Sequence, residues 1–268
     1  YILPALTLFS WLTFFIAMIS TLFARFRAGP LPWVADQLQL LTPEVRDVLP
    51  VSLLTHEAGC ASMLSRYLQI HASDTNQIEQ RRARISMWSQ WYFANLLPAW
   101  VIVSLSHNWQ LPIRPDRLFI SLQQQGLPGQ LYFQGEAQAF TPDTNLPLAR
   151  FTSLIEQHLR PVCQALAALS DMKPGIYWGN AAVRLHWGIE QAALLNADTT
   201  DGLALINART LSDGGKNPLF QPLRAEHPDN PDSPLFRRQC CLRYRLADHA
   251  MCSSCPLLLV EKRRRRDS

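Results

Sequence analysis

Arg237-Arg238-Gln239-Cys240-Cys241-Leu242-Arg243-Tyr244-Arg245-Leu246, followed by Cys252-Ser253-Ser254-Cys255, gathers four of the chain's six cysteines into sixteen consecutive positions. Thiolates separated by two residues can turn back onto one metal centre, a spacing used by both zinc sites and iron–sulfur proteins. The adjacent pair is less usual. Neighbouring side chains diverge in extended backbone, so Cys240 and Cys241 sit in a bend to reach one centre, or one of them is not a ligand. Two irons sharing four thiolates match this uneven spacing better than one tetrahedral zinc, but the residues alone leave both open. Cys60 and Cys163 stand apart in apolar surroundings and read as ordinary packing.

Composition narrows the classes around that segment. With 268 residues and 48% hydrophobic content, the chain has ample material for a core and is not a disordered protein. Six cysteines in a chain of this length do not make a disulfide scaffold. The net charge is +4, but the run Lys262–Arg266, set against Glu261 and Asp267, accounts for most of it. A nucleic-acid binder carries positive charge across a folded face, so that class loses its support.

Residues 1–24 carry no charge and include Leu8, Phe9, Trp11, Leu12, Phe14, Phe15 and Ile16. That length suffices for one transmembrane helix, and Arg25 and Arg27 after it would keep the remainder in the cytoplasm. The competing expectation is a spurious extension, because the chain opens with Tyr1 and Met18 offers an alternative start. A cleaved signal peptide fits poorly, since no basic region precedes the apolar stretch.

The hydrophobic pattern predicts an α+β fold, mostly helical, with a small β-hairpin or sheet and a C-terminal iron–sulfur-binding segment. Four parts are expected: the apolar segment 1–27, a helical α+β body over 40–236, the cysteine segment 237–258 and a basic tail over 259–268. Thr42-Pro43-Glu44 reads as a cap for a helix over about 43–50. Further helices are expected over about 56–71, from about Asn76 with a kink or stop at Pro98, from Asn145-Leu146-Pro147 with a bend at Pro161, and from Asn180 to about Leu195. Residues 117–135 read as a β-hairpin around Gly126-Leu127-Pro128-Gly129. The proline-rich stretch over about 212–236 reads as a loop.

The cysteine segment resembles that of the siderophore-iron reductase family, including its spacing. The similarity extends to Trp88-Ser89-Gln90-Trp91-Tyr92 with Pro98, Trp178-Gly179-Asn180 with Trp187, and Asn217-Pro218-Leu219-Phe220, and covers roughly residues 40–258. It implies a [2Fe–2S] cluster on Cys240, Cys241, Cys252 and Cys255, and reduction of ferric hydroxamate-type siderophores inside a bacterial cell. Residues 1–24, the insert over 222–234 and Arg263–Arg266 lie outside the family pattern.

Such chemistry needs no nucleophile or general base. Siderophores grip Fe(III) through hard oxygen donors that bind Fe(II) far more weakly, so one electron releases the metal. No G-x-G-x-x-G, P-loop or G-x-S-x-G signature is present, which agrees with an electron-donating redox protein as partner. Arg237, Arg238, Arg243 and Arg245 are the candidate contacts to substrate or donor, by charge and by position around the cysteines. Trp88, Trp91, Tyr92, Trp178 and Trp187 are expected mainly in the core, and His249 is not expected as a ligand. A non-enzymatic protein with structural zinc on the same four cysteines is the rival reading. The basic tail could draw the chain to the inner face of the cytoplasmic membrane.

Overall fold

A computed structural model of the chain describes residues 19–72, 77–143, 145–146, 148–230 and 232–266. The fold is α+β and mostly helical. Its helices are α1 (Trp33–Gln37), α2 (Glu57–Ile70), α3 (Ile78–His107), α4 (Arg160–Ser170), α5 (Gly175–Leu194), α6 (Thr200–Asn207) and α7 (Pro256–Arg266). A four-stranded sheet has the order β1 (Leu38–Leu40), β5 (Pro128–Phe133), β4 (Leu118–Leu122), β2 (Val48–Pro50), and two small antiparallel pairs join β3 (Trp109–Gln110) to β6 (Gln138–Ala139) and β7 (Leu223–Ala225) to β8 (Leu235–Arg237).

The long helix α3 is the axis of the molecule, about 45 Å by its residue count. From Ala83 to Leu105 nearly every residue is buried, which is how a helix apolar on all sides must be placed. Packing on every side also explains why Pro98 neither ends nor replaces it: the missing N–H breaks one bond in a helix held from outside. Helix α5 lies closely against α3 at Gly188, where a Cβ would fall 2.8 Å from the Pro98 Cα and 2.5 Å from Val101 Cγ1. The indoles of Trp88 and Trp100 are satisfied by the Gly126 and Leu111 carbonyls, both at 3.0 Å.

The expected hairpin is present as β4 and β5, antiparallel with Leu118 opposite Phe133. The expected second helix is α2, capped by His56, whose Nδ1 accepts from the Gly59 N–H at 3.0 Å. Three local expectations differ. Residues 43–50 form a turn and then β2, because Val48–Pro50 complete the sheet edge beside β4. Helix α5 begins at Gly175 rather than Asn180, and the stretch before Pro161 winds as a π-helix over Leu154–Leu159 before continuing as α4. The proline-rich stretch contains the hairpin β7–β8, with Pro222 and Pro234 placed just before each strand, where a missing donor breaks no ladder bond.

Residues 1–18 of the apolar segment, with the alternative start at Met18, lie outside the described residues. Residues 19–28 are helical, and Ile19, Leu22, Phe23 and Phe26 are buried in the main core. Among the described residues no helix is long and apolar enough to cross a membrane. Residues 256–266 at the basic end are helical as α7.

Candidate functional site

Helices α3 and α5 present a buried polar face to the cysteine segment. Ser86, Ser89 and Gln90 interrupt the apolar run of α3, and Asn180 does the same in α5. Asn180 Nδ2 donates to the Ser86 carbonyl at 3.1 Å, Ser86 Oγ at 3.0 Å and Ser89 Oγ at 2.9 Å, which turns its Oδ1 outward. Ser86 Oγ in turn donates to the Cys241 carbonyl at 2.9 Å. A deep helical serine thus fixes the backbone of a cysteine 155 residues later.

Other contacts dock the same segment. Arg84 makes a two-pronged ion pair with Asp248, both arms at 2.9 Å. Burial would raise the Asp248 carboxyl, but the bonds from Arg84 and His249 overcome it and hold the group at about 2. At Gly179 a Cβ would lie 2.7 Å from Gln239 Cβ, so α5 carries a glycine where the chain entering Cys240 crosses it. Strand β8 is tied to the second cysteine pair by the Arg237 N–H, which donates to the Ser254 carbonyl at 2.8 Å.

A left-handed turn follows the adjacent cysteines. Leu242 sits at φ 62°, a left-handed conformation that leucine rarely adopts, and a 3₁₀ turn over Arg243–Arg245 follows. The Leu242 N–H points back to Cys240 Sγ at 3.4 Å. Cys241 and Cys255 are buried while Cys240 and Cys252 are partly exposed, and the Cys241 and Cys252 sulfurs are 3.9 Å apart. The bond between those sulfurs lowers the Cys241 thiol; burial opposes this, and the Arg237 charge reinforces it. Burial raises Cys240, which the Leu242 N–H partly offsets. Cys60 and Cys163 are fully buried elsewhere in the core, and burial pushes the Cys60 thiol up to about 12.

Among the described residues no three His, Cys, Asp or Glu side chains stand together in metal-holding geometry. The donor chemistry nonetheless suits a thiolate-bound metal centre. One sulfur of each cysteine pair, Cys241 and Cys252, lies 3.9 Å from the other, His249 is engaged 3.0 Å from Asp248, and Asp248 is taken by Arg84. Among the described residues, the Nε atoms of Arg237, on a side chain only 4% exposed, and of Arg243 have no hydrogen-bond partner in the protein. A four-sulfur anionic group is the kind of neighbour such a donor fits.

The four arginines expected from the sequence separate. Arg237 points inward and donates to Gln90 Oε1 at 3.1 Å and Asn180 Oδ1 at 2.5 Å. Arg238 is exposed, donates to Gln221 Oε1 at 2.9 Å and lies over the Phe220 ring. Arg243 is partly exposed, and Arg245 pairs with Glu79 beside Tyr244. Trp88, Tyr92 and Trp178 are core residues, whereas Trp187 is 40% exposed and stacks on Trp33. Sequence reading missed Ser86, Arg84 and Arg184, and did not give Gln90 and Asn180 their part as supports. The available signal was uncharged polar residues spaced three or four apart in apolar helices. A separate cleft of about 340 Å³, lined by Trp100, Arg114, Arg117 and Arg150, lies toward the other end of α3, and Trp100 is about 21 Å along the helix from Ser86.

Comparison with known proteins places the chain in a family. The family model described as "Ferric iron reductase FhuF-like transporter" matches residues 86–253, a span that opens at Ser86 and reaches Cys252. The ferric siderophore reductase of Escherichia coli (strain K12) is 30% identical over 202 residues, 74% of this chain and 74% of that protein. Among solved structures, aerobactin synthetase IucA from a hypervirulent pathotype of Klebsiella pneumoniae superposes with a TM-score of 0.53 at 10% identity, over 65% of this chain and 37% of that one. The chain spans little more than a third of the synthetase, and at that identity the likeness is one of fold alone. By the extent of the family match and the identity to the reductase, the chain belongs to the FhuF-like ferric iron reductase family.

Proposed function

We propose that this protein reduces siderophore-bound ferric iron by one electron, with Cys240, Cys241, Cys252 and Cys255 holding a [2Fe–2S] cluster. The observation that carries the reading is the docked segment: Ser86 fixes the Cys241 backbone, Leu242 takes the left-handed turn, and one sulfur from each cysteine pair, Cys241 and Cys252, approaches the other to 3.9 Å. When bound, the cluster supplies a couple that accepts and returns one electron. The chain's own residues hold that couple in place, shield Cys241 and Cys255, and leave Cys240 and Cys252 partly open. Arg238, exposed, and Arg243, partly exposed, carry positive charge in the same segment, which supports a role in attracting the anionic oxygens of a substrate or the acidic face of a donor protein. Fe(III) that receives the electron becomes Fe(II), which hard hydroxamate oxygens release into the cytoplasm.

Iron, acid-labile sulfide and zinc analysis of anaerobically purified protein tests the assignment. Equal iron and sulfide, two of each per chain, with a reddish-brown spectrum is expected. Cys→Ser at any of the four positions should lower occupancy, while Cys60→Ser and Cys163→Ser retain it. A colourless protein with one zinc would establish a structural metal site instead.

A further inference from the structure

Arg84, Arg150 and Arg237 are the deeply buried arginines among the described residues, at 2%, 2% and 4% exposure. A buried charge is stable only when paired, and two of the three follow that rule. Arg84 meets Asp248, and Arg150 meets Asp201 at 2.8 Å. Among the described residues Arg237 meets neutral amides, Gln90 and Asn180, rather than a carboxylate, and its Nε has no acceptor. A second cation lies within its electrostatic reach. Arg184, one turn beyond Asn180 on α5, is partly buried, feels both Arg237 and Cys241, and makes no ion pair among the described residues.

The choice of amides has a physical consequence. A carboxylate would both orient the guanidinium and cancel its charge, whereas Gln90 and Asn180 orient it and leave the charge whole. Asn180 cannot readily turn away, because its three donor contacts to Ser86 and Ser89 fix its Oδ1 toward Arg237. The anionic groups left to balance the two cations are the cysteine sulfurs, and Arg237 acts electrostatically on Cys240, Cys241 and Cys252.

We infer that Gln90 and Asn180 are positioning residues that hold Arg237, with Arg184 within its electrostatic reach, as uncancelled positive charge that raises the reduction potential of the group on the cysteines. This rests on the proposed function. Reduction adds one electron and makes the site one unit more negative, so nearby positive charge favours the reduced form.

The test is the midpoint potential of the loaded, full-length protein, read by anaerobic spectroelectrochemical titration, with a thermal melt of each variant. Gln90→Glu and Asn180→Asp place a carboxylate on Arg237 at nearly constant size. Each is expected to shift the equilibrium at least tenfold toward the oxidised form, which is about 59 mV for a one-electron couple. Arg237→Gln should shift it in the same direction, and Arg237→Lys, which keeps the charge, should shift it less. If Arg237→Gln does not fold, the two carboxylate variants decide, since each gives a buried cation a partner. Unchanged potentials in folded, loaded Gln90→Glu and Asn180→Asp would overturn the inference and leave the reductase reading intact. A wild-type protein with no one-electron couple would overturn the reading beneath it.

Discussion

Ser86→Ala removes one oxygen from the centre of the molecule, and its effect should be largest at the cysteine segment. Ser86 is fully buried and serves two partners, the Cys241 carbonyl at 2.9 Å and Asn180 Nδ2 at 3.0 Å. Leaving a buried carbonyl without this donor costs about 1–3 kcal/mol. Asn180 keeps its bonds to the Ser86 carbonyl and Ser89 Oγ, so its loss adds only about 0.5–1 kcal/mol. The total is about 2–4 kcal/mol, with almost no cavity to add. If it falls on local opening of residues 238–255, amide exchange there should speed up about 30- to 700-fold. Hydrogen–deuterium exchange measured by mass spectrometry reads this directly, with the β4–β5 hairpin as internal control. Exchange in 238–255 that changes less than about threefold, or that rises equally in the hairpin, would refute Ser86 as the anchor of this segment.

Three further outcomes are expected. Gly179→Ala sets a Cβ 2.7 Å from Gln239 Cβ and should cost about 1–3 kcal/mol, with faster exchange confined to the cysteine segment, whereas Gly188→Ala strikes the Pro98 backbone and should lower the global denaturation midpoint. Burial depresses His158 from 6.5 to about 4, against the bond to the Ile113 carbonyl, so its contribution to stability is full above about pH 6.5 and falls as the pH drops toward 4, by about 3 kcal/mol; urea titrations across that range should show a shallower slope in His158→Gln than in wild type, the remainder coming from groups such as His107, which burial also lowers. Arg84→Met strips the two-pronged partner from Asp248 and should raise protease sensitivity between Cys241 and Cys252, with digestion unchanged at α2 serving as the control.

What could be read from the sequence was what local chemistry decides. The hairpin over 117–135 was legible because Gly126, at φ 73°, sits between two apolar runs, and α2 because its apolar spacing is helical. The segment at 43–50 misled because its Thr-Pro-Glu cap is a real local signal, overridden by the pairing of Val48–Pro50 with β4. The prolines of 222–234 suggested a loop, yet two of them flank strands rather than occupy them. At the site, the four cysteines stood out by spacing, and the left-handed turn that follows the adjacent pair falls at Leu242. The supports of the cysteines did not stand out, because Ser86 and Gln90 meet the segment across 155 and 147 residues and nothing local marks that meeting. The separate roles of the arginines were hidden for the same reason. Arg237 and Arg238 are neighbours in sequence, and only the packing of α3 against α5 turns the first inward and leaves the second exposed.

The central claim is that the cysteine segment delivers one electron to siderophore-bound Fe(III). Anaerobic mixing of the chemically reduced protein with a ferric hydroxamate tests it most directly, with absorbance following the protein and a chromogenic Fe(II) chelator following the product. One Fe(II) should form for each protein reoxidised, and Cys241→Ser protein should form none. Reduced protein that keeps its spectrum in the presence of hydroxamate, catecholate and carboxylate siderophores alike, with the chelator remaining colourless, would contradict the account.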